Sequence, residues 1–259
     1  MSRIGVLAGS GNRDDASHQL AALGVVEWHD LPGTLVARAL SGDLDAIVTG
    51  VRDETGASIG ASLVEIAARR PELPIVIHVR PDRVSISQLG AVFAPGLHVE
   101  CVVRPFGHLA PTLEAMLAPT YRPGVAPVLL QRFLPDVPAT LDVFVALAIV
   151  EGARRRSADE LARWSGHSLR TIERRLQRAR WPLAHVVCRS FSALDTVWLM
   201  TEYGWSARLV QQVRAFPHAS SVTRLLETYA GTRPSTVADD GGFAAALDRV
   251  RQRMIGQQS

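Results

Sequence analysis

The chain has 259 residues, enough for two domains of ordinary size, and at 47% apolar each can bury a hydrophobic core. No stretch reaches the ~18 uninterrupted apolar residues of a membrane span, and the N-terminus lacks the order of a signal peptide, so a cytoplasmic protein with no membrane partner is expected. All 28 basic residues are arginine, and they segregate: residues 1–118 hold 9 Arg against 13 Asp and Glu (net −4), residues 119–259 hold 19 against 12 (net +7).

Taken in chain order, the first 118 residues alternate short apolar runs with amphipathic stretches, the mark of an open α/β sheet. Strands are predicted at Ile4–Ala8, Val25–Trp28, Ala46–Thr49, Ile75–Val79 and Glu100–Arg104. Helices are predicted near Asp15–Ala22, Leu35–Ser41, Ala61–Arg70, Val84–Ala91 and His108–Leu117. Five β/α units of this length predict a doubly wound sheet of flavodoxin-like type, whose strands are apolar throughout because both faces are covered. Residues 119–139 contain five prolines and predict an extended linker. From 140 onward the pattern is helical, and residues 238–259 form a tail with a last amphipathic helix predicted over Phe243–Met254.

Residues 157–179, SADELARWSGHSLRTIERRLQRA, can be resolved position by position. Ser157 followed by Glu160 predicts a capping box, Gly166 a positive-φ helix end, and His167–Ser168 a turn. The second helix then runs from Leu169 to about Ala179, with Ile172 and Leu176 on its buried stripe and Arg170, Thr171, Arg174, Arg175 and Arg178 on its other faces. A short helix, a tight turn and an arginine-rich second helix suit the major groove, where arginine pairs with guanine and with phosphate. A long helix over Leu183–Tyr203 leads to a second such unit at 206–235. There Leu209, Val210 and Val213 are expected inward on the first helix, and Val222, Leu225 and Leu226 on the second, with Ser220, Ser221, Thr223 and Arg224 facing the other way.

The stretches ELARWSGHSLRTIERRL and AFPHASSVTRLLETYAGTRPS resemble the paired helix-turn-helix units of the AraC/XylS transcription regulators, over roughly residues 141–237. The resemblance implies an all-α tandem helix-turn-helix domain over 140–237 that binds double-stranded DNA. It places the contacts at Arg170, Glu173 and Arg174 in the first unit, and at Ala219, Ser220, Ser221, Thr223 and Arg224 in the second; Ser168, Thr171 and Arg178, on and beside the same helix, are expected as further DNA contacts. Glu173 is open between accepting from cytosine and opposing phosphate. The chain departs from the family at Gln211, where a small residue is usual, at Ala215, where glycine is usual, and at Thr236–Val237, where an aromatic-arginine pair is usual. Because a Cβ disfavours positive φ, the turn at Ala215 is expected to be distorted, leaving the second unit to bind weakly or to touch only backbone.

The order of elements in residues 1–118 resembles a response-regulator receiver, and VVRPFGHLAPTLEAML at 102–117 resembles its closing strand, turn and helix, with Arg104 where lysine is usual. A receiver holds Mg²⁺ and accepts phosphate with carboxylates, but Ala8, Gly9 and Gly50 or Thr49 stand at those positions, and Val79 at the hydroxyl position. The resemblance therefore implies a degenerate, phosphorylation-independent domain that dimerises or binds a protein or small ligand, RNA polymerase and a signalling protein being the protein partners considered. Asp53 and Glu54, just past the third strand, are the sole candidates for a displaced acidic site.

No catalytic set, metal site or cofactor is expected: the histidines are scattered, and Cys101 and Cys188 lack zinc spacing and read as buried thiols. Two rival readings stay open. One is a nucleotide- or phosphate-binding α/β protein using the loop Gly9–Asn12 in AGSGN, which lacks the third glycine of a dinucleotide fingerprint and the Lys-Ser/Thr of a Walker loop. The other is an interaction adaptor that has lost DNA binding through Gln211 and Ala215.

Overall fold

The computed structural model describes residues 2–7, 13–92, 99–103, 109–118, 121, 123–152 and 156–255. The chain divides into two compact units, Met1–Arg132 and Phe133–Ser259.

In the first unit the strands are β1 (Ser2–Leu7), β2 (Gly24–His29), β3 (Ala46–Thr49), β4 (Ile75–Val79) and β5 (Val99–Val103), each within two residues of its predicted position. All pair in parallel, in the order β2-β1-β3-β4-β5, which is the doubly wound flavodoxin-type order. The intervening helices are α1 (Arg13–Leu20), α2 (Pro32–Leu40), α3 (Gly60–Arg69), α4 (Arg83–Val92) and α5 (Leu109–Leu117). Because successive strand residues point to opposite faces, β1 sends Ile4 and Val6 one way, into a cluster with Ala46, Val48, Val76 and Val102 that Leu20 of α1 and Leu113 of α5 close. Gly5 points the other way, where a Cβ would run into Leu35 of α2. At Gly24 the approach is closer still: a Cβ would stand 1.9 Å from the Ser2 carbonyl oxygen, so only glycine lets β2 begin beside β1.

The linker expectation fails over Ala126–Phe133, which is a helix, α6, followed by a 3₁₀ turn at Leu134–Asp136. The prolines bracket this helix instead of preventing it. Pro127 lies in its first turn, where no N–H is needed, and Pro135 lies past its end.

Every regular element described in the second unit is helical: α7 (Asp142–Val150), α8 (Ala158–Trp164), α9 (Leu169–Arg178), α10 (Ala184–Glu202), α11 (Ala207–Val213), α12 (Ala219–Leu225) and α13 (Gly242–Ile255), with a π-helical segment Leu226–Ala230 extending α12. The 19-residue α10 is the spine, contacting α7, α8, α9, α11, α12 and α13. Phe191 on it meets Phe133 edge to face at 5.0 Å, Trp198 meets Phe243 of α13 at 4.9 Å, and Ser192 Oγ donates to the Gly152 carbonyl at 2.8 Å. Ala246, Val250 and Met254 are buried, so the expected last helix forms and packs on α10. Among the described residues no helix is long and apolar enough to cross a membrane.

Candidate nucleic-acid interface

The first helix-turn-helix is assembled by local chemistry. Ser157 Oγ accepts from the Glu160 N–H at 3.2 Å while the Glu160 carboxylate accepts from the Ser157 N–H at 3.0 Å, completing the capping box that starts α8. These bonds hold the Glu160 carboxyl below the usual carboxylate range. Gly166 takes φ +79°; its N–H bonds the Arg163 carbonyl at 3.0 Å and the His167 N–H bonds the Ala162 carbonyl at 3.0 Å, a Schellman end. Ser168 then caps α9 by accepting from the Thr171 N–H. Burial, with Arg175 nearby, lowers the pKa of His167 in this turn.

The second unit repeats the construction. Ser206 Oγ caps α11 through the Leu209 N–H, and α11 closes on Ala215, whose N–H bonds the Gln212 carbonyl at 3.3 Å while the Phe216 N–H bonds the Gln211 carbonyl at 2.9 Å. The expected distortion is absent. Ala215 adopts φ +50° and makes the same two hydrogen bonds as the glycine-based turn. Gln211, the other departure, serves the turn directly, since its Nε2 donates to the Phe216 carbonyl at 3.1 Å and latches it. The inward assignment on α11 is corrected, however. Val210 alone of the three is buried, with Leu209 and Val213 at 38% and 50% exposure, because a seven-residue helix turns only one such position fully to the core.

The predicted contact residues take up distinct environments. Ile172 and Leu176 of α9 are buried, so Arg170, Arg174 and Arg178 project outward, and none has a hydrogen bond or ion pair among the described residues. Thr171 is half-buried beside the cap, where its Oγ1 meets Ser168 Oγ at 3.0 Å. Arg175 is turned to the fold, donating to the Thr140 carbonyl at 2.9 Å. Glu173 is also engaged internally, since its Oε1 accepts from the backbone N–H of Ala184 at 3.1 Å. On α12, Ala219, Ser220 and Arg224 lie on the outer side, and Ser221 and Thr223 are half-buried over the core residues Val222, Leu225 and Leu226.

Two features lay outside the sequence expectations. Asp195 of α10 is buried and receives both Nε and the terminal nitrogen of Arg214, at 2.8 and 2.9 Å, tying the end of α11 to the spine. Arg189, also on α10, is exposed although the rest of Val187–Val197 is buried. A signal for it existed: one arginine interrupts the otherwise uncharged run VVCRSFSAL.

At the carboxyl edge of the first unit's sheet, Thr49 ends β3 with Gly50 directly after it, and Val79 ends β4, all buried. Asp53 is spent on a turn, its Oδ1 accepting from Thr55 Oγ1 at 2.6 Å and from the N–H groups of Thr55 and Ala57, both at 2.9 Å. The Gly9–Asn12 loop, Ala8 and Arg104 lie outside the described residues. Among the described residues no cluster of His, Cys, Asp or Glu is placed to hold a metal ion. The chain matches no protein-family model, no curated protein and no solved structure.

Proposed function

We propose that the chain is a DNA-binding transcription regulator of the AraC/XylS type, with a pseudo-receiver N-terminal domain that works by binding or dimerisation and not by aspartyl phosphorylation. One observation carries the reading. Two helix-turn-helix units, built on the same Schellman turn, each present a second helix with outward arginine that has no partner among the described residues: Arg170, Arg174 and Arg178 on α9, and Arg224 on α12. A guanidinium fixed on a rigid helix and free of internal ion pairs gives up little to bind phosphate or a guanine edge. The net charge of +7 over residues 119–259 supplies the counterion-release term on which such binding depends.

The partner is double-stranded DNA; a second copy of the chain, RNA polymerase or a signalling protein would engage the N-terminal domain. The test is fluorescence anisotropy of the full-length protein on duplexes recovered by selection from a random pool, over a salt series. Binding should weaken steeply with salt, and Arg174→Ala should lose ~1–3 kcal/mol on the selected site while remaining folded. A folded protein that enriches no duplex overturns the proposal.

A further inference from the structure

Beside α12 lies a cavity of about 540 Å³ whose walls include Arg189 from α10, His218, Ser220, Ser221 and Arg224 from the start and body of α12, and Tyr229. No carboxylate lines it. No hydrogen bond or ion pair of Arg189 or Arg224 is found among the described residues, so two arginines line this space with no carboxylate among its walls. Placing an arginine within the buried run Val187–Val197 gains nothing for packing, because its side chain leaves the core that its neighbours build. The polar groups around this open volume are guanidinium, hydroxyl, phenol and imidazole, all able to donate. Their complement is an anion with several acceptor oxygens.

We infer that this cavity binds a backbone phosphate of DNA, with Arg189 and Arg224 as its cationic pair, so that the second unit anchors the duplex while the first reads it. The inference rests on the DNA-binding reading above and goes further by assigning the second unit its ligand. Arg189 comes from the spine and not from the second helix of the unit. Beside a helix seated in the major groove, the groups within reach of a neighbouring element are phosphates, which position the protein without reporting sequence. The contrast between the units agrees with this division: three arginines free of partners project from α9, whereas α12 offers two serines, a threonine and one arginine.

The experiment compares full-length wild type, Arg189→Ala, Arg189→Lys and Arg224→Ala on a selected duplex and on its single-base variants, over a salt series. Arg189→Ala is expected to weaken binding about five-fold at 0.15 M salt, equally for every variant, and to reduce the slope of log K against log salt by about 0.9, the value of one lost phosphate contact. Arg224→Ala should do the same, and Arg189→Lys should keep the slope. A folded Arg189→Ala protein with the wild-type slope overturns the inference and leaves the DNA-binding reading standing. So does a loss confined to one base pair, which would make Arg189 a base reader. Release of the duplex from wild type, but not from Arg189→Ala, by a nucleoside monophosphate at matched ionic strength would give the cavity to a soluble phosphate compound instead. A wild type that binds no duplex overturns both readings together.

Discussion

The carboxylate of Glu173, on α9, caps the N-terminus of α10: Oε1 accepts the Ala184 N–H at 3.1 Å, in place of Leu183, whose side chain can cap nothing. The bond joins the first candidate reading helix to the spine, and the second oxygen, Oε2, is buried without a partner among the described residues. Glu173 therefore positions α9 through Oε1, and no part in reading cytosine is expected of it. Glu173→Ala should cost about 1 kcal/mol of stability, the usual value of a lost cap, measured by urea denaturation. Its DNA affinity should fall without a change in base preference; a changed preference at one position would return Glu173 to the base-reading set.

Ala215 and Arg180 both occupy the left-handed position of a Schellman turn, at φ +50° and +56°, where an L side chain costs about 1–2 kcal/mol relative to glycine's freedom. Part of that cost is offset in the unfolded chain, which glycine makes more disordered. Ala215→Gly and Arg180→Gly should each stabilise the protein by about 0.5–1 kcal/mol, seen as a higher urea midpoint with an unchanged m-value. Destabilisation by Ala215→Gly would mean that the methyl group is packed and not strained.

The Asp195–Arg214 pair is a different kind of joint. Burial pushes the Asp195 carboxyl above its ordinary range, and Arg214, through charge and two hydrogen bonds, pulls against that shift. Removing one partner of a buried pair typically costs ~3–5 kcal/mol, and Arg214, at 24% exposure, can partly rehydrate. Asp195→Ala should therefore lose about 3 kcal/mol. The double variant with Arg214→Ala should lose less than the sum of the singles, which a double-mutant cycle measures; strict additivity would show the pair to be idle.

Strand and helix positions in the first unit were legible because a doubly wound sheet needs apolar runs at Ala46–Thr49 and Ile75–Val79 separated by amphipathic stretches, and both strands fall where that pattern puts them. The capping box at Ser157 was legible because it is made by contacts within four residues, whereas Ser168, read as part of the turn, proves to cap α9. What depends on tertiary partners was not legible. The α6 helix is too short and too closely flanked by prolines to show a period, and its apolar residues Leu129 and Phe133 are explained only once they are seen buried. Glu173 carried a plausible role in DNA reading until Ala184, eleven residues on, claimed its oxygen. Ala215 obeyed the hydrogen bonds of its turn over its own backbone preference.

Burial pushes the Cys188 thiol up to about 12, from an ordinary value near 9, and thiolate is the reactive form. At pH 9 its thiolate fraction is then roughly 500-fold below that of an exposed thiol, before steric access is counted. Alkylation of native protein by iodoacetamide at pH 9, followed by peptide mass mapping, should leave Cys188 unmodified until denaturant is added. The folded state holds this proton more tightly, so its contribution to stability is intact below about pH 9 and is lost as pH rises towards 12. Cys188→Ala should lack that alkaline component, whereas rapid native labelling would show that α10 opens locally.

On the proposed reading, a small phosphodonor with Mg²⁺ should leave the mass, oligomeric state and DNA affinity of the full-length protein unchanged. A phosphoacceptor carboxylate at the edge of a parallel sheet must be free to attack and must share its metal with neighbouring carboxylates. At the end of β3 stand Thr49 and Gly50, with Val79 at the end of β4, none able to supply an anionic oxygen. Asp53, the nearest carboxylate along the chain, has its Oδ1 held by Thr55 Oγ1 and by the N–H groups of Thr55 and Ala57. Those bonds, led by the Thr55 hydroxyl, lower its pKa, which keeps it ionised but also makes it a poorer nucleophile and ties it to its turn. Attack through that oxygen would break the turn that the isolated bridge between Arg52 and Ser58 closes. An intact-mass gain of one phosphoryl group, abolished by Asp53→Asn, would show that this turn opens and that the domain is phosphorylated after all.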